Sequence, residues 1–126
     1  MANIIRANRS IIPACDFNSV DDLRTLLLAT KDISEVSAYK VGFELGLSYS
    51  LSSIVDVVKR HTNKLVIYDH QKAGTDVYEN IPDKFMDVMR NADVDAVILF
   101  PQAGPITLYE WINAGKVWNL DVIVGG

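Results

Sequence analysis

Apolar residues in this chain fall into short dense runs, and these alternate with stretches in which they recur at helical spacing. Ser10 to Cys15 reads as a short buried strand. Ser19 then offers a capping hydroxyl, and Asp21 and Asp22 follow where a helix N-terminus favours acids. Leu23, Leu26, Leu27 and Thr30 continue as one helical stripe. Ser37 to Val41 predicts a second strand, and a helix from about Ser50 to Arg60 carries Leu51, Ile54, Val55 and Val58 on one face. Lys64 to Tyr68 is a third strand, rich in β-formers. Beyond a polar loop, Pro82 suits the first turn of a helix reaching about Ala92. Val94 to Phe100 predicts a fourth strand. Pro105 opens a helix that buries Leu108, Trp111 and Ile112, and Leu120 to Val124 predicts a fifth strand.

Strands that alternate with helices imply a parallel sheet joined by right-handed crossovers. The unbroken runs Ala96-Val97-Ile98-Leu99 and Val122-Ile123-Val124 fit strands covered on both faces. Periodicity alone fits either a barrel or a doubly wound open sheet. The open sheet would place a Gly-rich phosphate loop after the first strand, where this chain has Asp16-Phe17-Asn18-Ser19. A complete (β/α)₈ barrel takes about 250 residues. With 126, this chain is expected to form a single partial domain over residues 1–126.

Charge and cysteine content narrow the partners. Twelve basic residues against sixteen acidic ones give a net charge of −4, which argues against a nucleic-acid surface. A few local lysines can still dominate a pocket for a small anion. The lone Cys15 excludes an intramolecular disulfide and fits a reducing, cytoplasmic setting. The apolar pair Ile11-Ile12 ahead of Pro13 is too short for a signal-peptide core, and no apolar run approaches the roughly 20 residues a bilayer requires.

In parallel α/β domains, chemistry gathers where strands end. The first strand ends at Asp16 and the second at Lys40. The third ends at Asp69, followed by His70, Gln71, Lys72 and later Asp76. A charge at one strand end is ordinarily a solvated loop residue. Lys40, however, stands between Tyr39 and Val41 in an apolar strand, and Asp69 directly follows Val66-Ile67-Tyr68. A buried lysine needs a carboxylate, and paired Lys and Asp on adjacent strands would form a fixed electrostatic site.

The segment Leu65-Val66-Ile67-Tyr68-Asp69-His70-Gln71-Lys72-Ala73-Gly74-Thr75-Asp76 resembles the third-strand signature of orotidine 5′-monophosphate decarboxylases. Ile12-Pro13-Ala14-Cys15-Asp16 and Ala38-Tyr39-Lys40-Val41-Gly42 resemble that family's first and second strands, and Val94 to Phe100 its fourth. The resemblance implies an α/β fold, the N-terminal portion of a (β/α)₈ TIM barrel, with about five parallel strands and four helices. It implies catalytic roles for Lys40, Asp69, Lys72 and Asp76, and contact of Asp16 with the ribose hydroxyls of a nucleotide substrate. Lys72 would be the general acid, and Asp76 would reach into the site of a dimer partner. No cofactor and no metal are implied. The family's usual spacing is Asp-x-Lys-x-x-Asp, and here each interval is longer by one residue. A bulge or turn at His70-Gln71, with Gly74 absorbing the second insertion, is expected to restore the geometry. The family's phosphate grip comes from loops after the last two strands of the barrel, outside the stretch that this chain matches. Hence a homodimer, or association with a complementary barrel half, is expected.

Two further readings stand beside this one. The first is a magnesium-dependent sugar-phosphate decarboxylase or synthase of the same superfamily, and the second a catalytically idle half-barrel that only self-associates. His61 and His70 lack metal-ligand spacing. Cys15 reads as a buried structural thiol, Trp111 as helix packing and Trp118 as a residue near a turn. Asp93 and Asp95 read as solvated charges.

Overall fold

The computed structural model describes residues 5–70, 77, 79–100 and 102–125. Five strands, β1 (Ala14–Cys15), β2 (Ala38–Gly42), β3 (Leu65–Asp69), β4 (Ala96–Leu99) and β5 (Asp121–Val124), lie side by side in chain order, each parallel to the next. The helices are α1 (Val20–Thr30), α2 (Phe43–Tyr49), α3 (Leu51–His61), α4 (Ile81–Asn91) and α5 (Pro105–Val117). This is the expected α/β fold of a TIM-barrel half, with β1 and β5 as its two edges.

Three local departures from the sequence reading have physical causes. The first strand is shorter than Ser10 to Cys15. Pro13 has no N–H to give the ladder, so only its carbonyl is used, by Lys40 N at 3.0 Å. Pairing resumes before it as one isolated bridge between Ile11 and Val36. Secondly, α2 makes five helices among the described residues rather than about four. It buries Leu45 and Gly46 while exposing Phe43, Leu47 and Tyr49, so no apolar stripe marks it. Ser50, at φ 64°, breaks the chain between α2 and α3, and its hydroxyl accepts from Ser53 N at the start of α3. Thirdly, Asp95 is not a simply solvated charge. It accepts from Val66 N at 2.8 Å and lies 3.5 Å from Lys59, tying the entry of β3 to that of β4. Asp93 is exposed and meets the same lysine at 2.8 Å.

The period of two along each strand divides the sheet into two unlike faces. Tyr39, Val41, Val66, Tyr68, Val97 and Leu99 point under the helices and join Leu23, Leu27, Ile54, Val55, Met86 and Trp111 in the main core. Burying each large side chain there contributes about 1.5–3 kcal/mol. Trp118 closes α5, and its ring N–H donates to Asp83 of α4 at 3.3 Å. On the opposite face Ala38, Ile67 and Ala96 form a second, smaller cluster, bordered by Ile12, Leu65, Ile98 and Ile123. That concave face is the barrel interior, and it carries the charged site.

Two glycines separate close backbone packing from ordinary contact. A Cβ on Gly115 would stand 2.4 Å from Val122 Cγ2 and 3.3 Å from the Leu120 carbonyl, so α5 rests against β5 through a bare backbone. On Gly46 it would meet nothing nearer than 3.4 Å. Gly115→Ala is expected to destabilise the chain by about 1–3 kcal/mol in urea unfolding. Gly46→Ala, inside α2, should be neutral or stabilise by up to about 1 kcal/mol. Equal effects at the two positions would contradict this packing.

Candidate active site

The site is built on strand parity. Lys40 shares the concave face with Ala38 and Gly42. Its register partners are Ala14 on β1 and Ile67 on β3, while Gly42 is level with Asp69. Asp69 thus lies one layer above Lys40 on the same face. The lysine stem leans along the strand into that layer. Its Nζ donates to Asp69 Oδ2 at 3.0 Å and lies 3.7 Å from Asp16 Oδ2. The ammonium therefore sits between carboxylates from the strands on either side.

Burial grades along this array. The Asp69 side chain is 11% exposed, Lys40 19% and Asp16 46%, so the array opens toward solvent at Asp16. Burial alone would lower the Lys40 pKa. The hydrogen bond and charge of Asp69, with the charge of Asp16, outweigh it and hold the group above its ordinary value, fully cationic at neutral pH. Such a fixed alternation of charges in a partly dry site can stabilise charge that develops in a bound molecule.

The titratable groups around the array are each shifted toward their neutral forms. The Cys15 thiol is pushed up to about 12 by burial and by Asp16, with Lys40 opposing, so it is a packed structural thiol. Burial and Asp69 both raise the Tyr68 hydroxyl. His70 continues the β3 alternation and turns away from Asp69 into the helix layer. Its Nδ1 lies 2.5 Å from the Tyr68 hydroxyl, and its ring packs edge-on to Phe85 of α4. Burial lowers its pKa against the pull of Asp69. His61 precedes β3, whereas His70 follows it, and His61 Nδ1 hydrogen-bonds the Val57 carbonyl of its own helix. Among the described residues no group of three or more metal-type side chains assembles.

Of the residues proposed from sequence, the structure brings Asp16, Lys40 and Asp69 together. Lys72 and Asp76 lie outside the described residues, as do Gln71 and Gly74. The Tyr68–His70 pair was not foreseen as a unit, although the parity of 66, 68 and 70 carries its signal. A cleft of about 330 Å³ lined by Leu65, Arg90, Asp95 and Lys116 lies at the opposite end of the strands, away from the array.

No protein-family model matches the chain, and no curated protein matches it in sequence. Solved structures do match. An orotidine 5′-monophosphate decarboxylase from Methanocaldococcus jannaschii, complexed with the inhibitor BMP, superposes with a TM-score of 0.77 at 26% identity. The match covers 92% of this chain and 51% of that one. A second structure of the M. jannaschii enzyme gives 0.75 at 26% identity. The orotidine 5′-phosphate decarboxylase from Pyrococcus horikoshii OT3 gives 0.71 at 20%, covering 90% of this chain and 50% of that one. The resemblance read from the sequence therefore holds in three dimensions, and the chain spans about half the length of the solved structures it matches.

Two stability measurements follow from this geometry. Lys40→Met leaves the largely buried Asp69 carboxylate without this donor, and is expected to cost about 1–3 kcal/mol in urea unfolding. An unchanged midpoint would show that Asp69 does not depend on the lysine. His70 binds its proton less readily folded than unfolded, where its value is the ordinary 6.5. The unfolded state then takes up more protons as pH falls through that value, so stability drops on acidification. His70→Gln removes that group from the titration. Its melting temperature should fall less than that of the parent between about pH 7.5 and about pH 5.5.

Proposed function

We propose that the chain supplies the charge-array half of a cofactor-independent orotidine 5′-monophosphate decarboxylase, acting in the cytoplasm on the pyrimidine nucleotide to give uridine 5′-monophosphate. The observation that carries this reading is the Asp16–Lys40–Asp69 array on three successive strands of a fold shared with those enzymes. Asp16, the most exposed member, is suited to the ribose hydroxyls. Lys40 holds both carboxylates in place. Asp69 would flank the substrate carboxylate. The bond from ring carbon to carboxylate breaks, carbon dioxide leaves, and the electron pair stays on the ring carbon. The Lys72 ammonium would stabilise that carbanion and then give it a proton. Asp76, reaching from a dimer partner, would extend the alternation. The substrate phosphate would be gripped by loops that lie outside residues 1–126.

The test is absorbance-monitored turnover of orotidine 5′-monophosphate by the purified chain. Lys72→Ala is expected to lower kcat by about 10²-fold or more, in line with loss of a general acid. Turnover that survives Lys72→Ala would remove that residue from the chemistry. Turnover of a sugar-phosphate substrate in its place, lost on chelation, would favour the magnesium-dependent enzymes of the same superfamily. No turnover by the parent chain under any condition would leave the idle half-barrel.

A further inference from the structure

Asp69 is the last residue of β3, level with Gly42 on one side and Ile98 on the other. His70 follows it outside the strand. Residues two apart in a strand share a face. Tyr68 and His70 therefore stand together on the helix side, one before and one after Asp69, while the carboxylate points to the concave face. The two side chains are joined. His70 Nδ1 lies 2.5 Å from the Tyr68 hydroxyl, and the ring centroids are 5.4 Å apart. Tyr68 is buried and keeps its proton, and burial keeps the His70 ring neutral at neutral pH. The hydroxyl thus has a proton to give, and Nδ1 a lone pair to take it. Both rings rest on Phe85 of α4, at 6.4 and 5.9 Å, and Phe85 meets the fully buried Trp111 of α5 edge-on at 5.3 Å. Two helices of the main core therefore back the pair from behind.

We infer that His70 is a positioning residue for the charge array: its bond to Tyr68 clamps the backbone on both sides of Asp69 and so aims the Asp69 carboxylate at the Lys40 ammonium. The inference deepens the proposed function, and rests on its reading that Asp69 works beside a bound substrate. Among the described residues the ladder of β3 ends at Asp69. A strand end can twist about its own axis, and that twist swings the side chain of the last residue most. A link from Tyr68 to His70 closes a small ring around Asp69 and resists the twist. What it protects is the Lys40–Asp69 hydrogen bond of 3.0 Å, since such bonds weaken steeply as they lose alignment. In a preorganised site a displacement of about 1 Å can cost about 10²-fold in rate. The imidazole supplies more than bulk here. A phenyl ring in its place would keep the contact with Phe85 and lose the bond. An asparagine would lose the ring contact and carry an amide oxygen near the place of Nδ1.

The experiment uses the full chain with His70→Phe, His70→Asn, Tyr68→Phe and the double variant Tyr68→Phe/His70→Phe, each checked for fold by circular dichroism. The first readout needs no substrate. Burial lowers the Lys40 pKa and the bond and charge of Asp69 raise it further than that, so a loosened bond moves the titration of Lys40 to lower pH. An NMR titration with isotope-labelled lysine is expected to show that move in His70→Phe and Tyr68→Phe, no larger a move in the double variant, and the parent titration in His70→Asn. In turnover of orotidine 5′-monophosphate, His70→Phe should lower kcat about tenfold or more with KM little changed, and His70→Asn should restore most of it. A Lys40 titration unmoved in every folded variant would overturn the inference. His70→Asn behaving like His70→Phe would overturn it too. Should His70→Phe fail to fold, Tyr68→Phe, which removes one oxygen, carries the same test. Shifted titrations in a chain whose parent turns nothing over would uphold the clamp and count against the decarboxylase reading.

Discussion

An ammonium carried at mid-strand in a sheet core costs several kcal/mol unless carboxylates come with it. Lys40 is placed there by strand parity, between the buried Tyr39 and Val41, and cannot turn its charge to the helix side without entering the main core. Its position requires Asp69 on one neighbouring strand and is eased by Asp16 on the other. The ends of β1, β2 and β3 are therefore coupled through one cation. Registry of the three strands and geometry of the site are the same constraint.

The two faces of the sheet are finished to different degrees. The helix-covered face closes on itself, with large side chains from the strands and from α1, α3, α4 and α5 fully buried. The concave face has Ala38, Ile67 and Ala96 buried by their strand neighbours, but Ile12, Leu65, Ile98 and Ile123 only partly so. A barrel interior is filled by side chains in layers drawn from all its strands. Among the described residues those layers are drawn from five strands.

Much of this was legible in the sequence, for identifiable reasons. The later strands declare themselves because they are buried on both faces and read as unbroken apolar runs, as Ala96 to Leu99 does. The Lys40–Asp69 pair was legible because a charge in such a run needs an explanation. The short helix Phe43–Tyr49 was not, because its apolar residues face outward as well as inward. Asp95 was misread because composition cannot tell a solvated carboxylate from one that accepts a backbone N–H where a strand begins. The shortening at Pro13 could have been read, since a residue without N–H interrupts a ladder wherever it falls. The lengthened spacing from Asp69 to Lys72 and Asp76 was legible as a departure. Its described part is His70, which continues the strand alternation outward with no bulge before it.

The charged array and the unfinished wall lie on one face, and this links assembly to electrostatics. Asp16 is 46% exposed and Lys40 19%, so water still reaches the array from the open side. Screening by water is what makes an ion pair weak, and its exclusion is what lets fixed charges act on a bound molecule. A surface laid over the apolar residues of the concave face would withdraw solvent from the three charged groups. Such cover would strengthen the Lys40 pairs. Strand register holds the three charges in place, and the exclusion of water sets how strongly they act.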